Sequence, residues 1–566
     1  MEKRIVECVP NFSEGRDKAI IRQITSAIES SGGVKLLDVD PGEATNRTVV
    51  TFVGSPEAVI EAAFAGVKRA AELIDMRRHK GAHPRMGATD VLPLIPICGI
   101  TLAECAELAR KLAERIAAEL HVPTYCYEAA AFTPERRNLA VCRAGEYEAL
   151  PEKLAHKETA PDFGARPFDD GVARTGATTV GARDFLIAVN FNLNTTSTRR
   201  ANAIAFDVRE KGRPVREGNP ITGKVVKDAA GNPVMQPGTL PATKAIGWFI
   251  EEYGIAQVSM NITDIATTPL HVAFDEVCRK ADARGVRVTG TEIVGLVPKR
   301  ALVEAGKYFL RKQRRSTGVA EEEIIRIAVK SMGLDDLKPF DPAEKVIEYL
   351  LEAEVPKKRL IDMTCKAFAE ETASESPAPG GGSIAAYMGA LGAALGTMVA
   401  NLSSHKAGWD DRWEEFSDWA ERGQAVLAEL LHLVDEDTAA FNRIMAVFAM
   451  PKSTDEEKAA RSAALQEATL YATEVPLRTM KAASRVFEIV RAMASEGNPN
   501  SVSDAGVGAL AARSAVLGAC LNVKINAAGL KDRAVADALI AEADALAAEA
   551  VRLEAEVLQI VESKIG

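Results

Sequence analysis

The feature that most limits what this chain can fold into is a change of period near Pro342. Before it, short β-like runs alternate with helical ones; beyond it, strand signals vanish and Ala, Glu and Leu recur at helical spacing. One core cannot serve both patterns, and 566 residues exceed what a single core holds. The expected fold class is an α/β (α+β) part of two subdomains with mixed sheets, followed by an all-α helical-bundle domain. The boundaries read as a first subdomain over 1–181, a second over 182–330, a linker rich in proline and charge over 331–357, and a helical domain over 358–566.

In the first subdomain the strand-like runs are IVECVPNFS, VKLLDVD, TVVTFVGS and VLPLIPI, interleaved with helices from Asp17, Pro56 and Leu102. Ser55-Pro56-Glu57 sets a capping side chain, a proline at the first helical position and an acid in the first turn. The alternation restarts with FLIAVNFNL, a helix over 198–211, AQVSMNI, a helix over 270–283 and VRVTGTEIVGLVP. The stretch 212–241, rich in Gly, Pro, Asn and Lys, interrupts it as a surface loop or hairpin. Later helical segments are predicted over 411–449, 454–475 and 532–563.

A net charge of −10, without a concentrated excess of Lys and Arg, argues against nucleic acid as a partner. The one basic cluster, Arg311, Lys312, Arg314 and Arg315, reads as a solvated helix end or connector, or else as a dock for a polyanionic tail. Eight cysteines are scattered with no CxxC pair and no His at ligand spacing, so neither a metal site nor a disulfide framework is expected. They read as buried thiols in a reducing cytosol. The start, MEKRIVECVPNFSEG, carries no apolar signal-peptide core, which implies a cytoplasmic protein. The apolar run 384–400 is short and made mostly of Ala and Gly, so a buried soluble helix is expected there and no membrane span.

His79 and His83 sit in RRHKGAHPRMGATD, between a helix and a strand. Pro84 restricts the backbone beside His83, and Gly81 and Gly87 permit tight turns, so an imidazole there can be held in place as a general base. The same residues also read as an idle loop. In LVDEDTAAF the acids Asp435, Glu436 and Asp437 crowd among apolar neighbours, where burial and like charge raise a carboxyl pKa; the alternative is a solvated acidic face. SPAPGGGS places Gly380, Gly381, Gly382 and Ser383 at a helix start, whose free N–H groups suit an anion or a ring carbonyl, or form a plain cap.

The runs VECVPNFSEGRD, LLDVDPGEATNRTVVTFVGSPE, IDMRRHKGAHPRMGATDVLPLIPI, RAGEYEALPEKL, PDFG and GATTVGARDFLIAVNFNL lie within or close to residues 1–185. With AIGWFIEEYGIAQVSMNITD and EIVGLVP, they resemble the formimidoyltransferase half of the formimidoyltransferase-cyclodeaminases. SPAPGGGSIAAYMGALGAALGTMV, LVDEDTAAFNRIMA and GNPNSVSDAGVGALAARSAVLGACLNVKIN resemble the cyclodeaminase domain over 358–560, and equally the freestanding methenyltetrahydrofolate cyclohydrolases.

The resemblance implies a bifunctional folate enzyme. Its first site would move the formimidoyl group of N-formimidoyl-L-glutamate to N5 of tetrahydrofolate, and its second would close the methenyl ring with loss of ammonia. His83 would be the catalytic base, with Asp40 beside it and Arg85 facing the glutamyl carboxylates. The stretch after PDFG, with Gly164, Arg166, Phe168, Thr175 and Gly176, would contact folate, and it departs from the animal pattern by a few extra residues. At the second site Asp437 would be the active acid, Gly381, Gly382 and Ser383 would meet folate, and Asp504, with Asn498 and Asn500, would line the same pocket. Tetrahydrofolate, polyglutamylated forms included, would be a co-substrate with no metal, and the chain a homo-oligomer, a ring of dimers. The rival readings make the C-terminal domain a cyclohydrolase, or a non-catalytic folate-binding or oligomerisation module; a formyl donor is not distinguished from a formimidoyl one.

Overall fold

Every strand among the described residues precedes Gly295, and beyond it the regular elements are helical. The computed structural model describes residues 4–42, 46–81, 85–218, 223–353 and 359–565. The chain forms two units: Met1–Ala301 with Met332–Glu352, and Leu302–Ser331 with Ala353–Gly566.

The first unit holds two large sheets. The strands β1 (Ile5–Cys8), β2 (Asn11–Phe12), β3 (Val34–Gly42), β4 (Arg47–Gly54), β5 (Thr89–Cys98), β6 (Thr124–Glu128) and β7 (Thr178–Ala182) build a mixed sheet in the order β1-β4-β2-β5-β7-β6, with β3 on β4. Only the β5–β7 and β6–β7 pairs are parallel. Helices Lys18–Ser30, Pro56–Leu73 and Leu102–Leu120 begin where local hydrogen bonding says they should. Asp17 accepts from Ala19 and Ile20, Ser55 from Ala58, and Thr101 and Glu104 form a reciprocal capping box. Their apolar stripes meet the strand residues of one pleat face, such as Val6, Phe52, Leu92 and Leu94. Glu7 lies between Val6 and Cys8 and so points to the other face, yet it is 5% exposed.

The second sheet is antiparallel throughout. It joins β8 (Ile187–Leu193), β11 (Thr243–Ile250), β12 (Ile255–Ile262) and β13 (Val288–Val294) in the order β11-β12-β8-β13. Between β8 and β11 the Gly- and Pro-rich stretch carries a short hairpin, β9 (Arg213–Pro214) on β10 (Met235–Gln236). Helix Thr198–Val208 lies so close to β11 that a Cβ on Gly247 would strike the backbone of Ala201 and Asn202.

In the second unit helices Gly381–Ser404, Trp413–Phe448, Asp455–Ser484, Val486–Glu496, Val502–Ala527 and Arg533–Ile565 pack as a bundle. Gly381–Ser404 and Val502–Ala527 run antiparallel in close contact: Gly518 faces Ala385, Gly389 faces Ala515, and a Cβ on Gly392 would come within 2.8 Å of the Gly508 carbonyl. Small residues explain the close approach. Gly381–Ser404 and the segment Pro499–Ala527 are long and apolar enough to cross a membrane; 61% and 50% of their apolar windows are buried within the bundle. Helix Asp455–Ser484 runs through Pro476, past the end at 475 that the pattern predicts. Proline removes the N–H that would bond the Ala472 carbonyl, and the Asn526 amide of another helix donates to that oxygen instead, at 2.6 Å. Residues 302–331 join the same unit, with Thr317 N–H on Ser417 Oγ at 3.0 Å, Asn401 on the Gly318 carbonyl at 2.8 Å and Lys307 against Glu421 at 3.3 Å.

Candidate functional site

His83 lies outside the described residues, with Ala82 and Pro84, but both ends of its loop are firmly held. Asn46 anchors the first end: its carboxamide oxygen accepts from Gly15 N–H at 3.0 Å and its nitrogen donates to the Lys80 carbonyl at 3.1 Å. His79 Nε2 pairs with the Asn46 carbonyl at 2.8 Å and Arg85 Nε points at His79 Nδ1 at 3.4 Å. Beyond the loop, Met86 N–H donates to Asp90 at 3.0 Å. The stretch that should contact folate packs directly on this segment. Ala88 N–H donates to the Thr175 carbonyl at 2.7 Å, Ala177 N–H to the Met86 carbonyl at 3.0 Å, and Gly176, at φ 67°, is so close to Met86 and Gly87 that a Cβ would overlap them. Phe168 packs beside Met86 and edge-on to Tyr147. Arg166 pairs with Asp169 and donates to the His121 carbonyl at 3.3 Å, and Gly164, at φ 72°, lies against Ala117.

Two ionic clusters flank the loop. Arg85 is spent on Glu146, at 2.9 Å, and on a two-pronged pair with Glu148, at 2.8 and 2.6 Å. These bonds, Glu148 first, hold the Arg85 guanidinium above its ordinary pKa. The second cluster is deeper. Asp90, 1% exposed, takes Arg143 at 2.5 Å, while Arg47 donates to Asn11. Burial, and after it the positive Arg143, lowers the pKa of Arg47; Asp90 and Asp40 act against both. Asp40 itself is exposed on β3, paired with Val49. The Nε atoms of Arg47 and Arg143 are buried with no hydrogen-bond partner among the described residues.

In the helical unit the acidic run does not act as one cluster. Successive helical residues point about 100° apart, so the three carboxylates fan out. Asp435 accepts from Leu360 N–H at 2.6 Å, Glu436 takes the Tyr471 hydroxyl, and Asp437 meets the start of helix Gly381–Ser404. There the single Ser383 hydroxyl proton is shared between the Val434 carbonyl, at 2.8 Å, and Asp437 Oδ2, at 3.1 Å. Burial raises the pKa of Asp437, opposed by the hydroxyl and backbone N–H of Ser383; no neighbouring acid contributes to the shift. Gly382 is required here, because a Cβ would collide with the Asp437 carboxylate. Gly381 faces Asn522, whose amide nitrogen would lie 3.6 Å from an added Cβ. Asp504 is not part of this group. It stands at the opposite end of helix Val502–Ala527 from Asn522, roughly 27 Å along the axis.

The comparisons with known proteins follow the same division. A family model described as the N-terminal subdomain of the formiminotransferase domain matches residues 5–183, one described as the formiminotransferase domain matches 188–352, and one described as formiminotransferase-cyclodeaminase matches 364–545. The formimidoyltransferase-cyclodeaminase of Rattus norvegicus is 43% identical over 529 residues, 94% of this chain and 93% of its own length. The chain belongs to the formimidoyltransferase-cyclodeaminase family. It is an enzyme. Relatives also match single halves. The glutamate formimidoyltransferase of Streptococcus pyogenes is 41% identical over 54% of this chain and 94% of its own length. The methenyltetrahydrofolate cyclohydrolase of Methylorubrum extorquens is 40% identical over 36% of this chain and 97% of its own length.

Against this family background, several polar residues beside the expected ones went unnoticed in the sequence: Asn46, Arg47, Asp90 and Arg143 in the transferase half, Tyr471 and Asn522 in the cyclodeaminase half. All but Tyr471 stand inside the resembling runs, Asn46 and Arg47 in ATNRT, Asp90 in GATD, Arg143 in RAGEY and Asn522 in LNVKIN, but no local pattern marks them as chemistry. Among the described residues no three His, Cys, Asp or Glu side chains converge to hold a metal ion. In the basic run, Arg311 faces Glu421 at 3.5 Å and Lys312 lies over the rings of Tyr308 and Phe309.

Proposed function

We infer that this chain transfers the formimidoyl group of N-formimidoyl-L-glutamate to N5 of tetrahydrofolate, and then cyclises 5-formimidoyltetrahydrofolate to 5,10-methenyltetrahydrofolate with release of ammonia. That places it in histidine degradation and one-carbon supply. In the first reaction N5 attacks the amidine carbon, His83 takes the N5 proton, and the glutamate amine leaves with a proton returned to it. Such proton transfers contribute about 10²–10⁴ each, and the joint orientation of two substrates contributes roughly 7–11 kcal/mol. Asp40 sits on the strand next to Arg47 and supports the base.

The donor's carboxylates need cationic hydrogen-bond donors that are not already committed. Arg85 reaches them by exchanging Glu148, whose side chain is 64% exposed. Arg47 and Arg143 carry Nε donors that are unpaired among the described residues, and a shift of their buried side chains would bring them to a substrate. We assign the glutamyl carboxylates to this pair, with Arg85 at their edge, and the pterin to the stretch from Gly164 to Gly176.

In the second reaction N10 attacks the same carbon within one molecule, the new C–N10 bond forms, and the C–NH₂ bond breaks as ammonia departs. The observation that carries this half is the Asp437 carboxyl, half-buried, raised in pKa and aimed at the glycine-rich helix start. A carboxyl of that kind moves a proton from N10 to the leaving nitrogen. Gly381, Gly382 and Ser383 hold the folate ring, with Asn522 facing them. Tetrahydrofolate, including polyglutamylated forms, is a co-substrate, and no metal takes part. The enzyme works in the cytoplasm as a homo-oligomer, a ring of dimers.

The cyclohydrolase relative supports a second reading, in which water attacks the methenyl ring in the same pocket. Supplying 5-formimidoyltetrahydrofolate and measuring ammonia separates the two: stoichiometric ammonia with the methenyl chromophore supports cyclodeamination, and no ammonia from that compound while added methenyl compound is hydrolysed refutes it. His83→Ala should abolish transfer and spare cyclisation of supplied intermediate; loss of both steps would refute the two-site reading.

A further inference from the structure

The second sheet of the transferase half carries a hollow that neither reaction uses. It has a volume of about 790 Å³ and lies between the first turns of helix Thr198–Val208, the hairpin β9–β10 and the end of helix Leu270–Asp282. Five of its ten lining residues are arginines, Arg199, Arg200, Arg213, Arg216 and Arg284, and none is acidic. Behind the wall stands Asp207, which pairs with both Arg213 and Arg284. Among the described residues it is the one carboxylate bonded to any of the five, so about four positive charges remain on a chain whose net charge is −10.

Backbone carbonyls hold four of the five guanidiniums, and Asp207 holds two of those four as well. Arg213 donates to the Ala203 carbonyl at 2.9 Å, Arg200 to the Arg284 carbonyl at 3.1 Å, Arg284 to the Lys280 carbonyl at 3.0 Å and Arg216 to the Gly223 carbonyl at 2.8 Å. Carbonyl bonds fix a fork in space without neutralising it. Arg213 and Arg284 are 19% and 23% exposed, and both are held below their ordinary pKa, by burial first and then by a neighbouring arginine. A solvated arginine patch spreads its charges outward; here they line one concave wall against one another.

We propose that this hollow binds a small polyanion, a metabolite-sized molecule carrying three or four phosphate or carboxylate charges. The volume lies within the range of small-molecule sites, roughly 300–1,000 Å³. Planar guanidinium forks match both oxyanion types in two-pronged geometry. A single negative charge would leave most of the repulsion in place, and duplex nucleic acid is too wide for the hollow and is disfavoured by a chain of net charge −10.

The test is isothermal titration calorimetry of the full chain with tripolyphosphate and, separately, with citrate, at constant ionic strength, with acetate as the monoanion control. The expected result is one saturable site per chain, binding the better polyanion about a hundredfold more tightly than acetate, the effect of two or more charge-assisted bonds. Which polyanion binds better identifies the ligand class as phosphate or carboxylate. Arg199→Gln with Arg216→Gln leaves the Asp207 pairs intact and should weaken binding about tenfold or more at an unchanged unfolding midpoint. If the double variant melts early, the two single variants carry the same comparison. No saturable heat with either polyanion, affinity equal to that of acetate, or undiminished affinity in folded variants would overturn the proposal.

Discussion

Replacing Asp437 with asparagine should stop ring closure while leaving the fold at least as stable at neutral pH. Asparagine keeps the shape and the oxygen that accepts from Ser383, so the helix start remains capped. What it removes is a charge that burial disfavours. Because the folded pKa of Asp437 is raised above its unfolded value, folding holds the proton more tightly than the unfolded chain does. The resulting penalty is absent below the unfolded pKa of about 4, grows as pH rises to the folded value and is constant above it. Asp437→Asn should therefore match or exceed the parent in stability at pH 7.5, with no advantage near pH 4. The cyclisation rate should fall by about 10²–10⁴, the usual contribution of a positioned proton carrier. Methenyl absorbance and ammonia release from supplied 5-formimidoyltetrahydrofolate measure the rate, and urea unfolding at the two pH values measures stability. Unimpaired cyclisation, or a loss of more than about 1 kcal/mol at pH 7.5, would show that the carboxylate is a structural cap and that the reasoning is wrong.

Other variants probe the same geometry. Gly382→Ala puts a methyl where the Asp437 carboxylate lies, so cyclisation should drop about a hundredfold or more with transfer unchanged, at a stability loss of about 1–3 kcal/mol; normal cyclisation would mean that the carboxylate has freedom to move. Arg143→Lys keeps a positive charge on Asp90 but lacks the Nε donor, and should raise the KM for the formimidoyl donor about tenfold with little change in kcat. A fall in kcat at constant KM would refute the carboxylate assignment. Burial raises Glu7 from 4.5 to about 7, so its folded form holds a proton that the unfolded chain has already released; stability should decline between pH 4.5 and 7 and level off above. Glu7→Gln should flatten that decline and be more stable at pH 8 by up to roughly 3 kcal/mol in chemical denaturation, whereas parallel pH profiles would exclude a protonated buried glutamate.

Some parts of the structure are written locally and others are not. The helix starts at Asp17, Ser55 and Thr101 depend on side chains within three residues of the bonds they make, so they are readable from the chain. The hairpin between β8 and β11 is likewise announced by its Gly and Pro content. The end predicted at 475 fails for a non-local reason: Asn526, fifty-four positions from Ala472, gives the Ala472 carbonyl the bond that Pro476 removes. Helices Lys299–Lys312 and Glu321–Met332 show a clear apolar period, but periodicity does not say which core they join, and residues 302–331 go with the bundle.

The two candidate sites show the same limit more sharply. Asp435, Glu436 and Asp437 look like one acidic cluster because they are adjacent in sequence, and helical geometry sends each to a different partner. The raised pKa of Asp437 therefore comes from burial against a glycine-rich helix start, 54 residues earlier, and not from its neighbours. Conversely, Asp504 and Asn522 sit in one resembling run, yet a helix separates residues eighteen apart by about 27 Å, so only one of them can face Gly381. The antiparallel pairing of helices Gly381–Ser404 and Val502–Ala527 decides which. It sets the start of the first beside the end of the second, with Gly518 on Ala385, so Asn522 is brought to the carboxylate and Asp504 is carried away. That pairing depends in turn on the small residues that let the two backbones approach. The glycines of the short apolar run, expected from the sequence to form a buried helix, are what assemble the second site.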